Sequence, residues 1–389
     1  MIPYGRQEIT KSDIKEVDKV LRSDFLTQGP VVPKFEKSVA KYCRASYAVA
    51  VNSATSALHI ACLALGLKKG DLLWTSPNTF VASANCARYC GARVDFVDIN
   101  PNTFNMCTQA LSEKLEVAKK KGKLPKIVIP VHFAGQPCEM KAIHKLSKKF
   151  GFKIIEDASH AIGASYDKIK VGSCVHSDIT VFSFHPVKII TTGEGGMALT
   201  NNNDLAEKMF RLRIHGITNN KSLMKLRPKE EIWNYQQIDL GYNYRMNDIQ
   251  AALGLSQIRR LDKYIKIRHK IAKVYDKQFS NLPIKTPWKS LNFYSSYHLY
   301  PIRIQENLNL KTQKKIYEDF RKEGIAVNLH YIPVHRQPYY ENLGFKKGTY
   351  PESEKFHREA ISLPMFPTLT NKLQNFVINT VTKVIKKYE

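Results

Sequence analysis

The chain has 389 residues, of which 43% are hydrophobic, and its 60 lysines and arginines against 34 acidic residues give a formal charge of +26. This length can bury the cores of two domains, and the hydrophobic share is ordinary for a globular protein. No stretch approaches the roughly 18 apolar residues of a membrane span, and the N-terminal stretch lacks the apolar segment of a signal peptide. We therefore expect a cytoplasmic protein with no membrane partner.

The positive charge permits two interpretations. A nucleic-acid-binding protein would concentrate its basic residues in a tail or on one face. Here the lysines are spread through segments of ordinary helical spacing, such as residues 119–123 and 263–277, and no nucleic-acid-binding motif is present. The sequence favours solvated helix faces, with part of the charge available to attract a nucleotide diphosphate. We expect no nucleic-acid partner.

Seven cysteines are scattered along the chain, and no CxxC pair occurs. An odd number of cysteines embedded in apolar patterns favours reduced, structural thiols over a disulfide framework. Cys86 and Cys90 are one helical turn apart, but two thiols alone do not make a zinc site. The sequence predicts no metal site.

Helical and strand patterns alternate over the first 200 residues. A helix over residues 11–21, with Thr10 or Ser12 as its N-cap, is followed by a loop over residues 23–33. The next predicted helices cover residues 33–43, 56–65, 81–90, 110–120 and 140–150, and the strands cover residues 47–51, 72–75, 93–97, 127–131, 153–157, 179–184 and 197–200. This alternation predicts an α/β fold with a mostly parallel, doubly wound sheet.

The pattern changes after residue 200. A polar, lysine-rich stretch covers residues 215–233 and has no regular periodicity. The predicted elements are helices over residues 204–213, 247–279, 311–323 and 371–387 and strands over residues 298–304 and 325–328. These elements predict a smaller C-terminal α+β domain. We place the large domain at residues 1–250, with the N-terminal segment and the loop over 23–33 near the substrate, and the small domain at residues 251–389.

Reactive side chains follow two of the strands, at the end where a parallel sheet binds ligands. Lys188 comes just after an apolar strand that stops at His185 and Pro186, while Asp157 ends the preceding strand and His160 follows it. A single lysine is far more often a solvated surface residue. A lysine among apolar neighbours, however, has a depressed pKa and can form an imine. Lys188 is therefore a candidate imine-forming residue only if complementary groups occur elsewhere in the sequence.

Two other strand ends supply complementary groups. Residues 52–57 place hydroxyls and free amides at a helix start, which suits a phosphate. Phe80 follows another strand and offers an aromatic face. Each residue has a plainer explanation on its own, since Asp157 can cap a turn and His160 and Phe80 can belong to the core. Together, an imine lysine, a carboxylate, a phosphate cradle and a stacking ring are what pyridoxal phosphate (PLP) requires.

Seven sequence motifs spread over nearly the whole chain carry a family resemblance. They are LTQGP, NSATSAL, EDASH, SFHPVK, TTGEGG, GYNYRMNDIQAALG and LHYIPVHRQPYY. In combination they closely resemble the DegT/DnrJ/StrS family of nucleotide-sugar aminotransferases. The resemblance implies a fold-type I, PLP-dependent aminotransferase that assembles as a homodimer with shared active sites.

The resemblance also implies a role for each matching residue. Lys188 would be the catalytic residue, acting as imine partner and as general acid and base. The cofactor-binding residues would be Ala54, Thr55, Phe80, Asp157, His160, Ser183 and, from the neighbouring subunit, Asn243. The substrate-binding residues would be Tyr4, Asp24, Phe25, Leu26, Thr27, His185, His330 and Tyr331. A plainer explanation than substrate binding remains open for these residues. The loop could simply connect two helices, and His185 could only orient Lys188. His330 and Tyr331 could be packing residues.

Within the family, the SSYHLYPI and FSFH-x-x-K strings most resemble members that aminate a UDP-linked 4-keto sugar in pseudaminic acid biosynthesis, with L-glutamate as the amino donor. A dTDP-linked 3-keto sugar or a D-configured sugar in the same pocket is the neighbouring alternative. The intact Lys188 argues against the sugar dehydratases of the family, in which histidine replaces the lysine. A non-catalytic regulatory or nucleic-acid-binding relative is supported by the charge alone. The stretch around residues 217–233 matches no family motif and would border the site.

Overall fold

The computed structural model describes residues 1–226, 231, 233–304 and 310–388. The helices are α1 (Lys11–Leu21), α2 (Val31–Cys43), α3 (Ala54–Ala64), α4 (Ala82–Tyr89), α5 (Thr108–Lys120), α6 (Met140–Phe150), α7 (Asn203–Arg213), α8 (Asp248–Ile258), α9 (Leu261–Gln278), α10 (Leu310–Lys322), α11 (Pro338–Glu341), α12 (Pro351–Glu359) and α13 (Asn371–Lys386). Within the described ranges, none of them has the length and apolar character needed to cross a bilayer.

The strands are short, as the sequence pattern indicates. They are β1 (Ile2–Pro3), β2 (Tyr47–Val51), β3 (Leu72–Thr75), β4 (Arg93–Phe96), β5 (Ile127–Ile129), β6 (Lys153–Asp157), β7 (Ser165–Tyr166), β8 (Ile169–Lys170), β9 (Ile179–Ser183), β10 (Gly196–Thr200), β11 (Ile217–Thr218), β12 (Gln236–Gln237), β13 (Ile284–Lys285), β14 (Phe293–Tyr294), β15 (Tyr300–Ile304), β16 (Ile325–Ala326) and β17 (Ala360–Leu363).

A seven-stranded sheet, in the order β2-β10-β9-β6-β5-β3-β4, forms the centre of the large unit. β10 runs antiparallel to both of its neighbours, and the other pairs are parallel. A parallel return would need a crossover, usually helical, whereas residues 184–195 between β9 and β10 contain no helix, so the chain turns directly back. The predicted α/β, mostly parallel, fold-type I architecture is confirmed.

The core lies on both faces of this sheet. On one face α3 and α4 cover the sheet, and on the other α2 and α8 do so. The second core, formed by β15, β17, α10 and α13, includes Ile271 and Tyr275 of α9. Leu261 and Ile265, at the start of the same helix, pack instead with the large unit. This packing favours a division inside α9, and the boundary at residue 250 stays a prediction.

The helix predicted over residues 247–279 is wrong as a single element. The structure has two helices, α8 and α9, that are separated at Arg259 and Arg260. Arg260 leaves helical geometry, with φ −106° and ψ 1°. Its guanidinium donates two hydrogen bonds of 2.7 Å to the buried Asp13 carboxylate of α1. A tertiary ion pair therefore accompanies the break, and the local periodicity contains no sign of it.

Three smaller differences concern segment ends. The strand predicted over residues 298–304 begins only at Tyr300, because the buried Arg268 binds the carbonyls of Tyr297 and His298 at 3.0 and 3.3 Å. The strand predicted over 325–328 ends at Ala326, although Asn328 forms one bridge to Ser362. The polar stretch over 215–233 contains β11, which pairs with β12 just beyond it, and residues 227–230 and 232 lie outside the described residues.

The N-terminus reaches the C-terminal unit. Ile2 and Pro3 of β1 pair in parallel with Ile325 and Ala326 of β16. The Tyr4 carbonyl then accepts a hydrogen bond of 2.9 Å from the Met365 amide. The first residues of the chain are thereby fixed beside elements that lie more than three hundred residues later in the sequence.

Candidate active site

Lys188 lies on the loop that connects β9 to β10. The loop is closed at its base by two hydrogen bonds to the Phe184 carbonyl, from the Thr192 amide at 3.0 Å and the Thr191 hydroxyl at 2.9 Å. The Lys188 amide donates to the His185 carbonyl at 2.9 Å. Burial lowers the pKa of the Lys188 ammonium to about 8, although the Asp157 carboxylate opposes the shift. About a tenth of this amine is therefore uncharged at pH 7.

Asp157 ends β6 on the same edge of the sheet, and only 5% of its surface is exposed. Its Oδ2 atom accepts a hydrogen bond of 2.6 Å from the Ser83 hydroxyl, and its Oδ1 atom accepts one of 3.1 Å from the Ser159 amide. The Thr79 and Ser83 hydroxyls are 2.7 Å apart, so Thr79 supplies the donor to Ser83. These bonds hold the carboxylate in one orientation.

Three buried imidazoles surround Lys188. Burial, with the Lys188 charge as a further cause, lowers the pKa of His330 to about 3 and holds the pKa values of His160 and His298 well below the usual 6.5. The rings of His160 and His298 are 4.3 Å apart. All three are therefore neutral at physiological pH. Within the described part of the chain, no group of three or more His, Cys, Asp or Glu side chains is arranged to hold a metal ion.

The hydrogen bonds of His160 fix its tautomer. Its Nδ1 atom accepts from the Ala134 amide at 3.3 Å, so the proton of the neutral ring is on Nε2. Nε2 then donates to the Tyr331 hydroxyl oxygen at 3.2 Å. Burial raises the pKa of Tyr331, so this hydroxyl keeps its proton and can donate it to a ligand. Both nitrogens of His160 have protein partners here, and its contact with the cofactor's phenolic oxygen stays a prediction.

Two further rings line the same space. Tyr4, brought in by β1, packs edge-on against His330 with a centroid distance of 5.1 Å. Phe80 lies 6.1 Å from the Tyr331 ring. Phe80 is 57% exposed, although the residues immediately before it in the chain are buried. An exposed aromatic face at a strand end is suited to stacking on a flat ligand.

The start of α3 forms the second half of the site. Ser53 caps the helix by accepting from the Ser56 amide at 3.1 Å, which leaves the first-turn amides of Ala54 and Thr55 without intrahelical partners. Gly196 lies against this turn, because a Cβ atom there would be 2.4 Å from the Ala54 nitrogen. Ser183 is opposite Gly196 in the ladder, so its hydroxyl lies one strand away.

The residues present fit PLP. Free amides at a helix start, with a hydroxyl from the next strand, suit a phosphate. A fixed, buried carboxylate can hold a proton on a pyridine nitrogen, and an amine of lowered pKa can condense with an aldehyde. The close approach of Gly196 to α3, which excludes any larger side chain, shapes the cradle. The geometry therefore agrees with the chemistry expected from the sequence.

The structure brings most of the predicted side chains together, but not all of them. Those that converge are Tyr4, Ala54, Thr55, Phe80, Asp157, His160, Ser183, Lys188, His330 and Tyr331. The remaining predicted residues, which are Asp24, Phe25, Leu26, Thr27, His185 and Asn243, have exposed side chains, and of these His185 is joined to Lys188 through the backbone hydrogen bond described above. Within the described ranges, no hydrogen bond or ring contact links the loop residues to Lys188. The Leu26 carbonyl instead accepts from the Asp248 amide at 2.9 Å, which ties the loop to the start of α8.

Sequence reasoning missed three residues that support the site. Ser83 orients Asp157, His298 packs on His160, and the Ser296 hydroxyl donates to the His160 carbonyl at 2.6 Å. Ser296 and His298 lie within the SSYHLYPI string, which carried the resemblance without an assigned role. Ser83 has no comparable signal, because a serine within a helix of small residues is unremarkable.

Comparisons with known proteins find aminotransferases that match nearly the whole chain. A transaminase from Campylobacter jejuni subsp. jejuni serotype O:2, UDP-4-amino-4,6-dideoxy-N-acetyl-beta-L-altrosamine transaminase, is 37% identical over 100% of this chain and 98% of that protein. Helicobacter pylori PseC, an aminotransferase involved in the biosynthesis of pseudoaminic acid, superposes with a TM-score of 0.90 at 32% identity, covering 99% of each chain. Spr1654 from Streptococcus pneumoniae, in its PMP-form, gives a TM-score of 0.91 at 30% identity over 100% of both chains. The model of the DegT/DnrJ/EryC1/StrS aminotransferase family matches residues 7–382, and the chain belongs to that family.

Proposed function

We propose that this protein is a PLP-dependent aminotransferase that transfers the amino group of L-glutamate to C4 of a UDP-linked 4-keto-6-deoxy-N-acetylhexosamine. The single observation that carries the reaction class is the amine of Lys188, held beside a fixed carboxylate and three neutral imidazoles. The names of the transaminase from C. jejuni and of H. pylori PseC support the sugar and the pseudaminic acid pathway. The solved PLP- and PMP-forms of Spr1654 support the cofactor.

In the proposed enzyme the cofactor would be held from three sides. The amides of Ala54 and Thr55 and the hydroxyl of Ser183 would bind its phosphate, and Phe80 would stack on its ring. Asp157 would keep a proton on its pyridine nitrogen. When bound, PLP supplies an electron sink that acidifies the α-proton of an amine joined to it.

The chain's own groups would manage the protons. Because the pKa of Lys188 lies at about 8, its amine can take a proton from carbon and return it at physiological pH. The three imidazoles are neutral, so they add no positive charge that would lower the pKa of Lys188 further. Tyr331, whose oxygen accepts from His160, has a proton to donate to an oxygen of substrate or cofactor.

The sugar would enter on the side of Tyr4, His330 and Tyr331, which form one aromatic wall. The Nδ1 atom of His330 is hydrogen-bonded to the Ser362 hydroxyl at 2.9 Å. His185 and the loop residues Asp24, Phe25, Leu26 and Thr27 are exposed and would reach the substrate as the resemblance implies. We propose a cytoplasmic location, since the substrate is a nucleotide sugar.

The substrate assignment predicts a specific preference. Given glutamate and a panel of UDP- and dTDP-linked keto sugars, the enzyme is expected to release 2-oxoglutarate fastest with the UDP-linked 4-keto-6-deoxy-N-acetylhexosamine of altrose configuration. The measurement is 2-oxoglutarate release, with mass spectrometry of the aminated sugar. Faster turnover of a dTDP-linked 3-keto sugar would contradict the sugar assignment and leave the reaction class intact. No turnover with any sugar, by protein that binds PLP, would contradict both.

We also propose a homodimer in which Asn243 completes the partner's phosphate site. Asn243 is exposed, and its neighbour Tyr244 accepts from the Asn52 amide at 2.9 Å, so the segment runs past the phosphate cradle of its own chain. An exposed amide at this edge is available to a second subunit.

The shared site predicts complementation. Lys188→Ala and Asn243→Ala chains are each expected to be inactive or strongly impaired. After mixing and exchange of subunits, each hybrid dimer has one intact site of two, so an equal mixture should recover about a quarter of wild-type activity. Each variant treated alone is the control. A side chain acting within its own subunit would give no recovery, and an active monomer in sedimentation would exclude the shared site.

A further inference from the structure

The loop over residues 22–30, which connects α1 to α2 and which we call the α1–α2 loop, is hydrogen-bonded to the rest of the large unit at one residue. The Leu26 carbonyl accepts from the amide of Asp248, the first residue of α8, at 2.9 Å. Among the hydrogen bonds of the described residues, this one alone joins the loop to an element other than α1 and α2. The position of the loop therefore depends on Asp248.

The side chain of Asp248 makes a second contact at the end of the same loop. It is fully buried, and its Oδ1 atom accepts a hydrogen bond of 2.8 Å from the Val32 amide in the first turn of α2. Pro30, which precedes α2, supplies no side-chain cap of its own. A carboxylate is favoured near a helix N-terminus, and here the first turns of α2 and α8 meet at the same one. Asp248 therefore fixes the end of the α1–α2 loop as well as its middle.

The other carboxylate oxygen of Asp248 faces Gly29. This Oδ2 atom is buried and has no hydrogen-bond partner in the described part of the chain. A Cβ atom on Gly29 would collide with it and would lie 2.5 Å from the Cβ of Phe25. Gln28 has φ 56°, a left-handed conformation that side chains rarely adopt and that persists only where the surroundings fix it. The contacts of Asp248, at Leu26 and Gly29, flank this strained residue.

The start of α8 also contacts the loop that carries Lys188. The Gln250 side-chain amide donates to the Glu194 carbonyl at 3.0 Å. A Cβ atom on Gly195 would be 2.7 Å from the Cε atom of Met246, so the chain just before α8 packs on the same loop. The first turn of α8 therefore lies between the α1–α2 loop and the Lys188 loop, and it holds the two in a fixed relation.

We propose that Asp248 is a positioning residue for the nucleotide sugar, because it holds residues 24–27 of the α1–α2 loop in the conformation that binds this substrate. The inference rests on the proposed function, in which these residues reach the sugar nucleotide. Glutamate reacts at Lys188, with which the loop makes no hydrogen bond or ring contact in the described ranges. Loss of the anchor should therefore weaken the reaction with the sugar and leave the reaction with glutamate unchanged.

Proline at position 248 removes the anchor without removing the helix. Proline is well tolerated as the first residue of a helix, and Asn247 before it is already extended, with φ −92° and ψ 166°. Asp248→Pro eliminates the amide that binds Leu26 and the carboxylate that binds Val32. The capping box of Asn247 and Gln250, which fixes the start of α8, does not involve residue 248. Asp248→Ala eliminates only the carboxylate and is the milder variant.

The first test follows the two half-reactions separately in the full-length, PLP-loaded protein. Glutamate converts PLP to pyridoxamine phosphate, a UDP-linked keto sugar reverses the change, and the visible spectrum reports both. One net hydrogen bond shifts an equilibrium by about 2- to 12-fold, so Asp248→Pro, which loses two, should raise the KM for the sugar about tenfold or more. Asp248→Ala should raise it by a smaller factor. The kcat at saturating sugar and the rate with glutamate should stay within about twofold of wild type.

Asn203→Pro is the matched control. Asn203 is the first residue of α7 and follows the extended Asn202, and its amide has no hydrogen-bond partner among the described residues. The variant places the same ring at the same helix position away from the α1–α2 loop, so both half-reactions should be unchanged. An equal loss of both half-reactions in Asp248→Pro would show a purely structural role and overturn the proposal.

The second test measures the anchor without activity, by hydrogen–deuterium exchange. In Asp248→Pro the Val32 amide loses its acceptor and is expected to exchange at least about tenfold faster than in wild type, with no change in the Lys188 loop. Gly29→Ala should have the same effect, because its Cβ atom displaces the loop from the carboxylate. Unchanged exchange in both variants would refute the anchor. Wild-type protein that reacts with glutamate but with no keto sugar would instead contradict the proposed function, and the exchange rates would still decide whether Asp248 anchors the loop.

Discussion

Replacing Lys188 by alanine is expected to lower amino-group transfer by at least about 10³–10⁴-fold. The variant loses the amine that bonds the cofactor and the general base, and the base alone contributes about 10²–10⁴. The absorbance of lysine-bound PLP should disappear. In the wild-type protein, borohydride reduction followed by peptide mapping should label Lys188. The measurements are 2-oxoglutarate release and the visible spectrum.

A matched control is available for this variant. Lys114 is another partly buried lysine whose pKa is lowered by burial, but it pairs with Asp95 away from the pocket. Lys114→Ala should therefore keep the PLP spectrum and the borohydride label on Lys188. A label on any lysine other than Lys188, or none, would disprove the assignment.

The Asp157→Asn variant is expected to bind PLP through Lys188 and yet turn over about 10²–10⁴-fold more slowly. Asparagine keeps the size of the side chain but not the negative charge that holds a proton on the pyridine nitrogen, and electrostatic groups of this kind contribute in that range. The measurement is kcat for 2-oxoglutarate release, with the spectrum as a check of loading. Unchanged kcat would show that Asp157 only caps the turn.

The hydrogen bond from Ser83 to the Asp157 carboxylate provides a control for this prediction. Ser83→Ala removes one hydrogen bond to Asp157 but leaves the Ser159 amide in place. A hydrogen bond to a charged group contributes about 1.5–3 kcal/mol, so the loss should be about 10- to 150-fold at most. The expected order of activity is therefore wild type, Ser83→Ala, then Asp157→Asn.

The parts of the fold that sequence predicts are those with local causes. β9 is an apolar run stopped by a proline, Lys188 follows that strand and Asp157 ends β6, so their place at one sheet edge comes from strand order. The cradle at α3 is likewise local, since Ser53 caps the helix that begins at the next residue.

The parts that sequence does not predict depend on distant partners. The break between α8 and α9 is associated with an ion pair from Arg260 to Asp13, and the late start of β15 with carbonyls bound by Arg268. The role of Ser83 is apparent only once β6 places Asp157 beside α4. Periodicity cannot report such contacts, because each partner is specified by tertiary packing.

The docking of β1 on β16 has a consequence for biosynthesis. Ile2 is made before its partner Ile325, which follows more than three hundred residues later, so this pairing has one of the longest loop closures in the chain. The large unit of the nascent chain can fold around its own sheet while β1 remains unpaired. Tyr4 therefore reaches its place against His330 only after β16 and His330 have been synthesised, and a chain that stops before them lacks one wall of the pocket.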